Sequence, residues 1–290
     1  MKQRVLTGIV IAVFLVGYLF SMFTFVFPIL NAILSVLSVY EIHKVTRVKN
    51  LPLKILSELS AALVPLACGS ERFADVPVLG AVLLYIARDP AVIGVFYVLT
   101  AMVLMLILYD KTKFEDLAIS LFGGVCIAFS YGCTVLITSA PSTGKPEIVS
   151  VFFMMFSFGC AWITDIFAFF SGKAFGKHKL CPKISPKKTV EGAVGGVVGA
   201  VLVNVVLLLI FQKIAPSASF PQYWLIVLFT VILSAAGMCG DLSASVIKRN
   251  FGAKDFSNIL PGHGGIMDRF DSCLFIWPCL YLLLRIASIL

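Results

Sequence analysis

The sequence predicts an all-α polytopic membrane protein of about nine transmembrane helices, with its N-terminus on the cytoplasmic side. Three observations predict it. The 290 residues are 60% hydrophobic and only 13% charged, with a mean hydropathy of +1.01, a composition foreign to soluble domains of this size. Several apolar stretches reach the roughly 20 residues that hydrocarbon demands of a crossing helix. The net charge of +8 falls mostly on one side of the predicted spans, as the positive-inside rule requires.

MKQR and the apolar sequence to about Tyr40 are too long for a signal peptide and lack a small-residue cleavage site, so they read as two spans, 5–21 and 24–40. The second delivers Lys44, Arg47 and Lys49 to the cytoplasm, and span 54–69 returns. Segment 76–88, about 13 apolar residues, is short for a crossing and would invert the charge asymmetry, so it reads as half-inserted or interfacial. Span 91–109 leads to Lys111 and Lys113, 117–138 returns, and 148–171 leads to the basic run Lys173–Lys188. Spans 189–211 and 223–246 bring the chain to Lys248–Arg269, and 272–289 closes it. The far side keeps only a few cations, such as Arg72, Arg88, Lys145 and Lys213. The chain reads as one membrane domain, 1–290, with a hydrophobic multi-span region at 1–140 and a catalytic region at 148–275, whose cytoplasmic loops are 172–188 and 248–271. The eight cysteines contain no CxxC pair and mostly lie in apolar segments, where they act as small hydrophobes rather than as disulfides or zinc ligands.

Chemistry concentrates in residues 241–271, which hold Asp241, Asp255, Asp268 and Asp271, the cations Lys248, Arg249, Lys254 and Arg269, and the loop Pro261-Gly262-His263-Gly264-Gly265. Carboxylates at a membrane interface are costly and mark function by default. Asp241, Ser245 and Lys248 are spaced i, i+4 and i+7, one helix face. Asp165 lies at a depth similar to that of Asp241, beside the other basic loop, and the pair is expected to converge on a shared cation. Asp268 and Asp271, spaced i and i+3, are expected to share a face at the start of the last helix. Oxygen-only ligation of this kind suits Mg²⁺. Between aspartates and lysines, the glycine loop reads as a backbone cradle for phosphate, with Gly264 and Gly265 in it. His263 either contacts phosphate or caps the turn. In the first loop, Ser185-Pro186 fits an N-cap followed by proline at the first helical position. A helix starting there would set free N–H groups beside Lys187 and Lys188, an anion site. Glycines 192, 195 and 196 read as helix-packing positions.

The run Ser245-Val-Ile-Lys248-Arg249, Lys254-Asp255, Pro261-Gly262-His263-Gly264-Gly265, Asp268-Arg269-Phe-Asp271 resembles the C-terminal signature of phosphatidate cytidylyltransferases, also called CDP-diacylglycerol synthases. Thr164-Asp165 through Gly172, Phe175 through Leu180, and Ser185-Pro186-Lys187-Lys188-Thr189 through Glu191-Gly192 look like the same family. The close resemblance covers roughly 160–275; the N-terminal half matches only as a hydrophobic multi-span region. Phe169, Lys173 and Ala244 depart from the family's usual Tyr, Arg and Glu, which removes a phenol hydroxyl, a bidentate guanidinium and a carboxylate from the expected substrate contacts.

The resemblance implies an enzyme that joins CTP and phosphatidate into CDP-diacylglycerol and pyrophosphate with Mg²⁺. It implies Asp241 and Asp268 as metal ligands and phosphate contacts from Lys187, Lys188, Lys248 and Arg249; Asp165 and Asp271 are expected to support the metal from their placement beside the same loops. Ser185, Ser245, Lys254, His263, Gly264, Gly265 and Arg269 complete the expected substrate site. The expected partners are the two substrates and the bilayer, without nucleic acid, and a homodimer stays open. The expected place is the cell (inner or plasma) membrane, with the site facing the cytoplasm. A CTP-dependent enzyme acting on an isoprenoid or ether lipid is the neighbouring alternative. A transporter fits less well, because transporters put polar residues near the midplane between repeated halves.

Overall fold

The structure, a computed structural model, describes residues 2–73, 90–139 and 146–289; the ambiguous segment 76–88 lies outside them. The described chain is overwhelmingly helical. A helix stands at each of the nine predicted spans: Lys2–Ser21, Val26–Thr46, Leu51–Cys68, Pro90–Ile107, Phe114–Leu121 continuing through a π turn into Ala128–Ser139, Pro146–Phe158 continuing through another into Thr164–Phe175, Val190–Ile214, Tyr223–Asn250 and Cys273–Ile286. Among the described residues, six are long and apolar enough to cross a membrane: Val26–Thr46, Leu51–Cys68, Phe114–Ser139, Glu147–Phe175, Val190–Ile214 and Tyr223–Asn250. Thr7–Ser21, Val92–Ile107 and Cys273–Ile286 are shorter apolar helices.

The chain forms two compact units, Met1–Ser139 with Phe251–Arg269, and Ala140–Asn250 with Phe270–Leu290. The first thus contains most of the signature loop beyond Asn250. Lipid is as apolar as the side chains it surrounds, so helices associate through close packing and hydrogen bonds. In the first unit, buried Asn31 accepts from Tyr18 Oη at 2.9 Å and from Thr134 Oγ1 at 2.8 Å, and donates to the Phe27 carbonyl at 2.9 Å. The hydroxyls of Ser38 and Tyr131 meet at 3.0 Å. The second unit uses Asn204, whose Nδ2 donates to Thr230 Oγ1 at 3.3 Å, and the Thr164–Ser234 hydroxyl pair at 2.9 Å. There the Val190–Ile214 helix lies so close to the Thr164–Phe175 helix that a Cβ on Gly192 would stand 2.8 Å from the Ala168 carbonyl oxygen, and one on Gly196 2.7 Å from that of Thr164.

Two local expectations give way. The helix expected to begin at Ser185-Pro186 begins at Val190, and Ser185–Thr189 is instead a strand, β2, pairing antiparallel with β1, Lys179–Cys181. Proline drives the residue before it out of the α region, and Thr189 supplies a better cap, its hydroxyl accepting from Gly192 N at 3.1 Å. The last helix begins at Cys273, not at Asp268: Met267–Phe270 is a separate turn, and Asp271 lies outside both. Among the described residues, the otherwise helical chain therefore carries one small hairpin.

Candidate active site

In the second unit, the π turn Gly159–Ile163 comes immediately before Thr164 and Asp165. Such turns insert a residue into the helical ladder, re-aim the side chains beyond it and recur at functional sites. Past the helix they lead into, the chain turns back at Gly176–His178. Glu191 holds that turn, accepting from the amides of Lys177 at 3.0 Å and His178 at 3.2 Å, and meeting His178 Nδ1 at 2.6 Å. The next element, the hairpin, presents Lys187 and Lys188 on β2. Hairpin and helices enclose a cavity of about 420 Å³ whose lining includes Asp165, Phe169, Lys173, Ser185, Lys187, Lys188, Thr189 and Asp241. Five residues predicted from separate motifs (Asp165, Ser185, Lys187, Lys188 and Asp241) are thereby brought together. Two of the three departures, Phe169 and Lys173, line the same cavity, whereas Ala244 is buried.

Lys188 Nζ pairs with Asp241 Oδ2 across 53 residues of sequence. The pair is partly shielded, which fixes the ammonium on the cavity wall. Asp241, Ser245 and Lys248 do lie on one continuous helix, Tyr223–Asn250, and Lys248 is buried. Arg249 is exposed at its end.

Asp271 feels this charge. Burial pushes its carboxyl up to about 7, with Asp241 adding to the rise and Asp165 adding less, against the Ser272 amide and Lys248. Repulsion among three carboxylates is what a cation relieves. Among the described residues no group of three or more His, Cys, Asp or Glu is arranged to hold a metal ion. With its folded value raised above 3.8, the Asp271 contribution to stability is fully present below about pH 3.8 and is lost as pH rises through about 7. In chelator, the melting temperature should therefore fall from pH 5 to pH 8, and Asp271→Asn should flatten that slope. Equal slopes would remove Asp271 as the titrating group.

The glycine loop belongs to the first unit. Asp268 Oδ2 accepts from Phe256 N at 2.8 Å and Gly265 N at 2.9 Å. Gly262 and Gly264 have φ of 78° and 81°, backbone that favours glycine. Leu260 N donates to the Gly264 carbonyl at 2.9 Å and His263 N to that of Leu260 at 2.8 Å. The next amides, Ile266 and Met267, donate to Glu41 at 2.9 and 2.8 Å. The amide of Gly265, which the sequence places in a phosphate cradle, and the two after it donate to the protein's own carboxylates. His263 Nδ1 is buried without a hydrogen-bond partner among the described residues. Lys254 and Arg269 are exposed.

Glu41 is the residue that sequence reasoning missed. It sits in an apolar helix and is fully buried, so the rule that flags the aspartates applies to it equally. A predicted span that ends at residue 40 sets it aside.

A profile of the cytidylyltransferase family matches residues 2–287. The chain is similar to the phosphatidate cytidylyltransferase of Bacillus subtilis (strain 168), 31% identical over 290 residues and 99% of each protein. It is also similar to those of Staphylococcus saprophyticus (41% over 133 residues, 46% of this chain and 48% of that protein) and Staphylococcus aureus strain COL (39% over 132 residues, with the same shares). With a match that runs from the first helix to the last, the chain belongs to the cytidylyltransferase family.

Proposed function

We propose that the chain is a phosphatidate cytidylyltransferase, making CDP-diacylglycerol and pyrophosphate from CTP and phosphatidate. The observation that carries this is one cavity where Lys173, Lys187 and Lys188 stand beside Asp165 and Asp241, on a chain matched end to end by a relative of that name. A phosphate oxygen of phosphatidate forms a bond to the α-phosphorus of CTP as the bond to the bridging oxygen of the β-phosphate breaks, and pyrophosphate leaves. Such a step asks the protein for positioning and charge neutralisation rather than covalent help. Lys188, held by Asp241, and Lys187 bind phosphate oxygens; Lys248 and Arg249 offset charge on the leaving group. The attacking phosphate is already an anion near pH 7, so no general base is required. Asp241, supported by Asp165 and Asp271, is proposed to hold Mg²⁺, and Asp268 keeps its proposed role as a metal ligand. When bound, Mg²⁺ supplies charge neutralisation at the phosphates.

The finer topology goes with this reading: nine crossings of the cell membrane, with the N-terminus and the site on the cytoplasmic side. It is supported by the one-sided placement of Lys and Arg. The test is Mg²⁺-dependent pyrophosphate release from CTP by purified protein in detergent–phosphatidate micelles. Release should require phosphatidate. Release with a lipid alcohol alone, or without any lipid acceptor, would move the reading to another acceptor.

A further inference from the structure

We propose that Glu41 is a positioning residue of the reaction, holding the glycine loop in the shape that presents Asp268. The proposal rests on the reading of Asp268 as a metal ligand. A carboxylate with 0% exposure inside an apolar helix is strongly unfavourable unless donors compensate it. Among the described residues, the donors to the Glu41 carboxylate all come from the signature loop: Ser257 Oγ at 2.5 Å, Ile266 N at 2.9 Å and Met267 N at 2.8 Å, from 216 to 226 residues away in sequence. It has no ion pair among those residues; charge-assisted hydrogen bonds hold its negative charge instead.

The geometry couples Glu41 to Asp268 closely. Three successive amides are shared between the two carboxylates, Gly265 to Asp268 and then Ile266 and Met267 to Glu41. Turning either peptide away from Glu41 drags the Gly265 amide off Asp268. Gly265 also has no room for a side chain, since a Cβ there would lie 2.6 Å from Glu41 Oε1 and closer still to Oε2. Thr7 adds a second tie from the first helix, its hydroxyl donating to the Pro261 carbonyl at 2.9 Å. The N-terminal region thus shapes a loop of the signature. An outer carboxylate that orients a ligand tunes metal affinity as well as rate.

The test uses the full chain in detergent–phosphatidate micelles. Gln at position 41 keeps the length but turns an NH₂ toward N–H and O–H donors. Glu41→Gln should lower kcat about 10–100-fold and raise the half-saturating Mg²⁺ concentration about tenfold, while KM for CTP and for phosphatidate shifts less than about threefold. Hydrogen–deuterium exchange should quicken over 256–267 and stay unchanged along 26–38. Unchanged rate and Mg²⁺ dependence would overturn the proposal. If Glu41→Gln does not fold, Ser257→Ala decides: it removes one donor and should still raise the Mg²⁺ requirement about two- to fivefold and quicken exchange over 256–267. An unshifted requirement there makes Glu41 a fold anchor and overturns the proposal. An inactive wild-type protein would sink the functional reading instead; exchange over 256–267 then decides for Glu41, and unchanged exchange rejects it.

Discussion

Asp268→Asn should reduce phosphatidate-dependent pyrophosphate release about 10³-fold while leaving a folded, monodisperse protein. The carboxylate serves in two directions. Its Oδ2 receives the amides of Phe256 and Gly265, and the same carboxylate is proposed as a metal ligand. Asn has a single oxygen, so it either keeps the loop closed and offers an NH₂ to the cation, or offers its oxygen and turns the NH₂ on two N–H donors. Losing a preorganised group that stabilises transition-state charge costs about 10²–10³ in rate, and a lost ligand adds to that. The structural cost is limited to charge-assisted hydrogen bonds, about 1.5–3 kcal/mol. The measurement pairs the micelle assay, with Mg²⁺ titrated, and a melting curve of the same preparation. More than about a tenth of wild-type activity at any Mg²⁺ concentration would rule out Asp268 as a ligand.

Lys188→Ala and Asp241→Asn should each cost about 10²–10³ in kcat/KM, and the double variant little more than the worse single one. The two side chains form an ion pair at the wall of the cavity, and groups that act as a unit fail additivity. Asp241→Asn frees the Lys188 ammonium from the partner that orients it, and Lys188→Ala leaves a carboxylate with no neutralising neighbour at that contact. Lys188→Arg should not rescue, because a planar fork replaces a point charge. A double variant that loses the sum of both single losses would show two independent roles.

The sites are legible in the sequence to the extent that single motifs carry them. Asp165, Lys187, Lys188 and Asp241 stand out by residue type beside basic loops, and the structure gathers all four around one cavity. The start of the helix after the first basic loop is misplaced by the sequence because Ser-Pro matches two local patterns, a helix cap and an extended dipeptide. The choice falls to Thr189 and Glu191, which fasten the next turn and the hairpin. The glycine loop reads as open to a ligand because glycine and charge look the same whether amides face a phosphate or a carboxylate. Nothing local distinguishes them.

By itself the sequence determined the helical membrane architecture and the positions of the apolar helices among the described residues. These are consequences of hydrocarbon thickness and of a backbone that must satisfy its own hydrogen bonds in lipid, and both act on contiguous residues. Only the tertiary structure decided which donor answers which carboxylate: Lys188 for Asp241 across 53 residues, and the loop amides for Glu41 across more than 200. A buried charge requires compensation, but any donor of the right kind can provide it. The partner is set by which backbones the packed helices bring within about three ångströms, and no periodicity along the chain records that.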